Sequence, residues 1–329
     1  MRTVLLVVLL LSSFTWVSPA SAQTFINQQA VEQVLAIHSD KLEDIPEVYY
    51  DYYDLYANED NSVLARNDFY GALGMGDMEK GSRRARLVEL LNRIDLAFVE
   101  PGDTLVVPDT FGIDFRAYSP FPRYYEGAKP YDKLFIIHKT VQAWAAYEHG
   151  ELARWGVVST GKPESPTPTG RFNFNWKEPY RISELSPPDE DWEMYWVFNF
   201  NNERGIHIHQ YDMPTDGPTS HGCVRLVDAD ARWIFDWAEA WTVEGGGVGY
   251  SSSGHKILKQ GTMVLVLGED PGGKADLFDR SGQYPVIKQV ELPDDPLSVP
   301  PGTDQQRRFD RLRRQSASAS GTEGGSHGG

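Results

Sequence analysis

The spacing of apolar and polar positions divides the chain into a front segment with helical periodicity, a middle with strand periodicity and a polar end. From residue 23 to about 112 the apolar positions recur at helical spacing. Val31, Val34 and Leu35 begin one stripe, and Leu87, Leu90, Leu91 and Ile94 form a clearer one opened by Ser82. From about residue 131 the period becomes extended: Leu134-Phe135-Ile136-Ile137 and residues 143–147 read as strands. Glu148-His149-Gly150-Glu151 is a turn, and residues 152–159 run back as another strand. Residues 194–200 and 205–210 predict two further strands joined at Asn201-Asn202, and residues 263–267 predict a buried one. Between them, Ile234, Trp237, Ala238 and Trp241 share one face of a late helix, with Asp228 as its N-cap. Many short strands with one late helix indicate a mainly-β, sandwich-like domain rather than a βαβ fold. With the helical front segment, the class is α+β.

The pattern also sets expectations for domains. Residues 1–22 read as a signal peptide: a positive start at Arg2, an apolar run over 4–17 and a small-x-small site at Ala20-Ser21-Ala22. That run is too short to cross a bilayer comfortably, which takes roughly 20 residues. The expectation is therefore an exported protein of the periplasm or cell wall with no membrane span in the mature chain. Residues 23–112 form a mostly helical accessory region, 113–130 a linker, 131–268 the β-rich domain, and 269–299 a C-terminal extension. Residues 300–329, rich in Pro, Gly, Ser and charge, predict a disordered tail carrying the basic cluster Arg307, Arg308, Arg311, Arg313 and Arg314. The aromatic stretch from Tyr49 to Tyr53 could line a sugar-binding face, but helix packing explains it at least as well.

Composition narrows the function. Forty per cent hydrophobic residues and 12% aromatics suit a sizeable core. A net charge of −16 argues against a nucleic-acid binder. The sole cysteine, Cys223, excludes an internal disulfide, and an unpaired thiol in an exported chain needs an explanation.

That cysteine sits in Ser220-His221-Gly222-Cys223-Val224-Arg225, shortly after Gly205-Ile206-His207-Ile208-His209. His207 and His209 alternate along a strand and project from one face, and His221 lies two residues before the thiol. Pro214, Gly217 and Pro218 make the intervening stretch a loop able to fold the two segments together. A thiol attacks carbonyl carbon only as thiolate, so it needs a base. A buried, inert cysteine among unrelated histidines is one reading; three histidines and the only cysteine within 17 positions weigh against it. A zinc site is another, but no second cysteine or carboxylate completes a ligand spacing. A Cys-His acyl-transfer centre fits best, with the N–H groups of Gly222 and Cys223 as oxyanion donors. It requires no metal and no cofactor.

The segment 220–225 resembles the [S/T]-H-G-C signature of the L,D-transpeptidase catalytic domain (YkuD-like). Thr160-Gly161-Lys162 with Thr167-Pro168-Thr169-Gly170-Arg171-Phe172 is similar to that family's "sTGk…TPtG-f" stretch, and residues 134–150 resemble its opening strands. The likeness covers about residues 131–268. It implies a β-rich sandwich that cross-links peptidoglycan stem peptides, which serve as donor and acceptor, or that anchors proteins to them. It also implies acylation of the thiol by carbapenems. Cys223 would be the nucleophile and His209 the base, since 205–209 resembles "G-i-a-i-H"; other members read "y-G-I-H-g", which would give His207 that role. Ser220 and His221 would shape the site, and Arg225 would hold the loop or meet a substrate carboxylate. Residues 176–193 occupy the place of a lid. A water-resolved acyl-enzyme (an L,D-carboxypeptidase or endopeptidase) and a non-catalytic wall-binding protein are the alternatives. Separately, Val99-Glu100-Pro101-Gly102-Asp103-Thr104-Leu105-Val106-Val107-Pro108 resembles the closing turn and strand of LysM modules, which makes wall glycan a further candidate partner.

Overall fold

The computed structural model describes residues 24–56, 61–245 and 256–322. The expected signal peptide, nearly all of the glycine-rich loop over 245–254 and the last seven residues lie outside the described residues.

The front segment is helical only in part. A short helix α1 (Gln28–Glu32) precedes strand β1 (Tyr50–Asp54), helices α2 (Ser62–Gly74) and α3 (Met78–Asn92), and strand β2 (Thr104–Pro108). β1 pairs antiparallel with β2, from Tyr50 opposite Pro108 to Asp54 opposite Thr104. The tyrosine-rich stretch is thus a strand, in keeping with the strand preference of aromatics. The segment resembling a LysM end forms a turn and β2. α3 begins earlier than Ser82, because Asp77 caps it by accepting the Lys80 N–H at 3.0 Å. α2 and α3 approach very closely, and a Cβ on Gly81 would fall 1.8 Å from the Tyr70 carbonyl oxygen.

The middle of the chain supplies β3 (Leu134–His138), β4 (Ala143–Glu148), β5 (Glu151–Val157), β6 (Gly170–Asn173), β7 (Lys177–Ile182), β8 (Glu193–Asn201), β9 (Ile206–Gln210) and β10 (Val224–Leu226). Helix α4 (Asp228–Trp237) and strands β11 (Thr242–Val243), β12 (Ile257–Lys259) and β13 (Met263–Leu267) follow, then β14 (Phe278–Asp279), β15 (Val286–Ile287) and helix α5 (Asp304–Thr322). Two sheets dominate, ordered β5-β4-β3-β13-β6 and β10-β9-β8-β7. Phe135, Ile137 and Trp144 of the first form one core with Phe198, Ile208 and Val224 of the second, closed by Ala231 and Ile234 of α4. Successive strand residues face opposite sides, so Leu134, Ile136 and Tyr147 point away from that core. They bury themselves instead among Leu90, Val106, Phe115 and Tyr118. A sheet covered on both faces explains why β3 is an unbroken apolar run rather than an alternating one.

Further local expectations differ from what is found: α4 ends at Trp237, so Ala238 and Trp241 lie beyond it. Asp228 is the first residue of α4, not its cap; its carboxylate accepts the Trp196 indole N–H at 3.0 Å, and Val227 takes the cap position without a side-chain bond. Residues 113–130 are no loose linker. Phe115, Tyr118, Phe121 and Tyr125 are buried there, and Phe115 stacks on Trp155 with centroids 4.7 Å apart. Their backbone consists of two single 3-10 turns, Phe115–Tyr118 and Glu126–Ala128, joined by irregular chain, too short to leave a periodic signature. The tail is a helix from Asp304, not a disordered segment. Its anchors are polar, which composition reads as solvated: Thr303 and Gln306 are buried, and Asp310 meets the buried Arg171 guanidinium at 2.5 Å.

Removing that carboxylate strands a buried charge. Asp310→Ala should lower the unfolding free energy by about 3 kcal/mol, whereas Arg311→Ala on the exposed side should change it by less than about 0.5 kcal/mol. Urea midpoints at constant slope measure both.

Candidate active site

β9 lies between β8 and β10, and its pairing with β10 is parallel, with Val224 beside Ile208 and Arg225 beside His209. One residue earlier, the same register carries Cys223 to the level of His207. The alternation of β9 turns both imidazoles to the face where the thiol lies. Cys223, His207, His209, His221, Ser220 and Arg225 all line one cavity of about 240 Å³. The loop between the two strands therefore does fold the segments together. It is held by Ile26 N–H to the Met213 carbonyl at 2.9 Å and by Thr215 N–H to the Thr24 carbonyl at 3.0 Å.

The cysteine loop is buttressed by the Thr-Gly and Thr-Pro-Thr-Gly segments. Gly161 N–H donates to Thr167 Oγ1 at 2.9 Å, and that hydroxyl donates to the Gly222 carbonyl at 2.9 Å. Ser220 N–H reaches the Thr160 carbonyl, and Lys162 N–H the Ser220 carbonyl. A Cβ at Gly161 would lie 2.1 Å from the Ser165 carbonyl oxygen, so only glycine permits this approach. Gly222 has φ +117°, a backbone state costly for other residues.

Ser220 Oγ accepts the Gly222 N–H at 3.0 Å and donates to the Cys223 carbonyl at 2.5 Å. Gly222 N–H is therefore already engaged, contrary to the expectation that it would serve as an oxyanion donor. Cys223 N–H, with no protein partner among the described residues, keeps that capacity. The Arg225 guanidinium lies 4.6 Å from the Tyr211 ring centroid and donates to Thr219 Oγ1 at 3.1 Å, so it braces the loop while lining the cavity. His221 is exposed and stacks on Trp192 at 5.7 Å, beneath the segment that also contributes Ser183, Glu184 and Leu185 to the wall.

The two strand imidazoles differ in tautomer. His209 Nδ1 faces the Gln210 carbonyl at 2.8 Å. A carbonyl only accepts, so Nδ1 carries the hydrogen and Nε2 holds a lone pair. His207 Nδ1 faces the Asn199 side-chain nitrogen at 3.1 Å, which only donates, so its hydrogen is on Nε2. Burial pulls His207 down to about 3, helped by the neighbouring His209 and Arg181 charges. Burial likewise takes His209 down to about 4; the Gln210 carbonyl opposes this and Arg225 adds to it. Burial pushes the Cys223 thiol up to about 11, against the pull of the His207 backbone and of Arg225. At neutral pH the site holds a thiol and two uncharged imidazoles. Of these two strand imidazoles, His207 has its lone pair engaged by Asn199, whereas His209 keeps one unengaged on Nε2.

Several lining residues carry no motif. Trp176 packs on His207 with centroids 5.1 Å apart, and Met194 and Arg204 complete the walls. Asn199 left one trace: an asparagine inside an otherwise apolar strand.

A family model described as the L,D-transpeptidase catalytic domain (YkuD) matches residues 132–266. No curated protein matches the chain. Among solved structures, an L,D-transpeptidase from Stackebrandtia nassauensis is 24% identical, with 43% of this chain and 58% of that one covered and a TM-score of 0.32. One from Mycobacterium smegmatis is 21% identical, covering 41% and 58%, with a TM-score of 0.31. The catalytic domain of an Enterococcus faecium L,D-transpeptidase is 22% identical, covering 41% and 97%, with a TM-score of 0.30. The chain spans under two thirds of the length of the first two. The family model, lying over both sheets and the cysteine–histidine cavity, identifies residues 132–266 as an L,D-transpeptidase catalytic domain of the YkuD family.

Proposed function

We propose that this protein is an exported, cysteine-dependent L,D-transpeptidase that forms or remodels peptidoglycan cross-links. The supporting observation is that Cys223 and the lone-pair nitrogen-bearing His209 line one open cavity inside a domain of that family. His209 Nε2 takes the thiol proton as Sγ bonds to the carbonyl carbon between a diaminopimelate-type residue and the terminal D-alanine of a tetrapeptide stem. Collapse of the tetrahedral intermediate breaks the C–N bond, and His209 returns the proton to the departing D-alanine amine. A side-chain amine of a second stem then attacks the thioester and gives its proton to His209. The C–S bond breaks, and the thiolate recovers the proton. Stem peptides are thus donor and acceptor.

Because burial disfavours the thiolate, the proton must move as the S–C bond forms, which makes an uncharged base in place more useful than a preformed ion pair. Arg225 bracing the 211–219 loop and Trp192 over His221 frame the mouth through which the stem enters.

Incubating purified protein with tetrapeptide muropeptides should give cross-linked dimers by mass spectrometry, and Cys223→Ala should give none. Tripeptides alone would reveal resolution by water, and unchanged stems would leave a wall-binding role. A carbapenem should add its mass to the wild-type chain but not to Cys223→Ala.

The pH profile carries a second expectation. His209 is held down to about 4, so its lone pair is available above that value. The second-order rate kcat/KM should stay level from about pH 5 to pH 8 and fall only as pH drops through about 4. An acid limb near 6.5, the ordinary imidazole range, would contradict this assignment.

A further inference from the structure

Three hydrogen bonds lead from the C-terminal helix into the cavity. The Gln305 side-chain amide donates to Asn175 Oδ1 at 2.9 Å. Asn175 Nδ2 donates to Asn199 Oδ1 at 2.8 Å, and Asn199 Nδ2 faces His207 Nδ1 at 3.1 Å. Asn175 and Asn199 are buried. Asn175 and Asn199 each take a hydrogen on oxygen and pass one on from nitrogen, so the chain has a single direction. Asn199 cannot reverse, because its nitrogen also faces the Ile206 and Asn201 carbonyls at 3.2 and 3.4 Å, and an oxygen there would meet oxygens. Gln305 is fixed in turn, its backbone N–H donating to the Glu203 carboxylate at 3.1 Å.

The outcome is an imidazole whose hydrogen is confined to Nε2. That atom has no protein partner among the described residues and is not among the sealed-off polar atoms, so it opens on the cavity that His207 lines. With Nδ1 engaged by Asn199, the nitrogen that faces the cavity carries a hydrogen and cannot take a proton, but it can stabilise negative charge on oxygen.

We propose that His207 is a second catalytic imidazole, donating its Nε2–H to the acyl oxygen of the bound donor, and that Gln305, Asn175 and Asn199 are positioning residues fixing this tautomer from the C-terminal helix. The proposal rests on the acyl-transfer reading above. When Sγ adds to the carbonyl carbon, the C=O electron pair moves to oxygen. His207 Nε2–H and Cys223 N–H would share that charge, and both hydrogens stay on nitrogen throughout.

Two reactions of the same thiol separate this role from that of the base. Iodoacetamide alkylates Cys223 at a saturated carbon with loss of iodide and forms no oxyanion; transfer of a tetrapeptide stem forms one. His207→Leu should lower kcat for stem transfer about 100-fold, the usual cost of one oxyanion donor, while leaving alkylation within about twofold. His207→Gln, which keeps an N–H, should recover about tenfold of the loss. His209→Ala should depress both reactions. Nitrogen-15 NMR of the wild-type full chain should show His207 protonated at Nε2 only. Gln305→Leu should show both tautomers and lose about three- to tenfold in kcat at unchanged KM. Equal losses in transfer and alkylation for His207→Leu, a proton on Nδ1 in the wild type, or an unaltered spectrum and kcat in Gln305→Leu would each overturn it. Absence of any stem transfer by wild-type protein would instead count against the acyl-transfer reading, while the spectrum would still report the tautomer.

Discussion

The site depends on a parallel pairing only three residues long. β10 is too short to hold itself against β9, yet its register decides which side chains meet. A slip of one residue would turn the thiol to the opposite side of the sheet from the imidazoles. What fixes the register is the hydrogen-bonded packing behind it, where Ser220 and Thr167 bond to the Gly222–Cys223 backbone and Gly161 holds Thr167 in place. The glycines of this region are structural requirements of that close contact. The thiol is thus presented by a loop whose own polar groups are largely satisfied, while the Cys223 N–H has no partner among the described residues.

Burial sets the chemistry. Each ionisable group at the centre is displaced toward its uncharged form, the histidines downward and the thiol upward. Two imidazoles of equal composition then become different reagents through the partner of one nitrogen. A carbonyl at His209 leaves a proton acceptor, and an amide at His207 leaves a proton donor.

Much of this was legible in the order of residues. The strands over 134–157 follow from apolar runs and turn residues, and Cys223 stands out because thiols are scarce and histidines surround it. His207 and His209 could not be told apart in the order of residues, since the nitrogen bearing the hydrogen depends on Asn199 and Gln210, and only folding defines the partner that each offers. The tail misled because Thr303 and Gln306 are buried and Asp310 pairs with the buried Arg171, and hydropathy counts such polar residues as solvated. Residues 113–130 misled for the opposite reason: their aromatics are buried on short 3-10 turns and irregular chain that set up no sustained period. Asp228 failed as a cap because Trp196, distant in sequence, claims its carboxylate.

The two-sided burial of the five-stranded sheet has a consequence for how the molecule can be divided. The family match ends where the catalytic sheets end, but the side of β3 and β4 that carries Leu134, Ile136 and Tyr147 is roofed by residues from α3, β2 and the 115–125 stretch. Excising the matched portion would bare an aliphatic wall to water. In this chain the packed core therefore extends beyond the portion that a family comparison recognises.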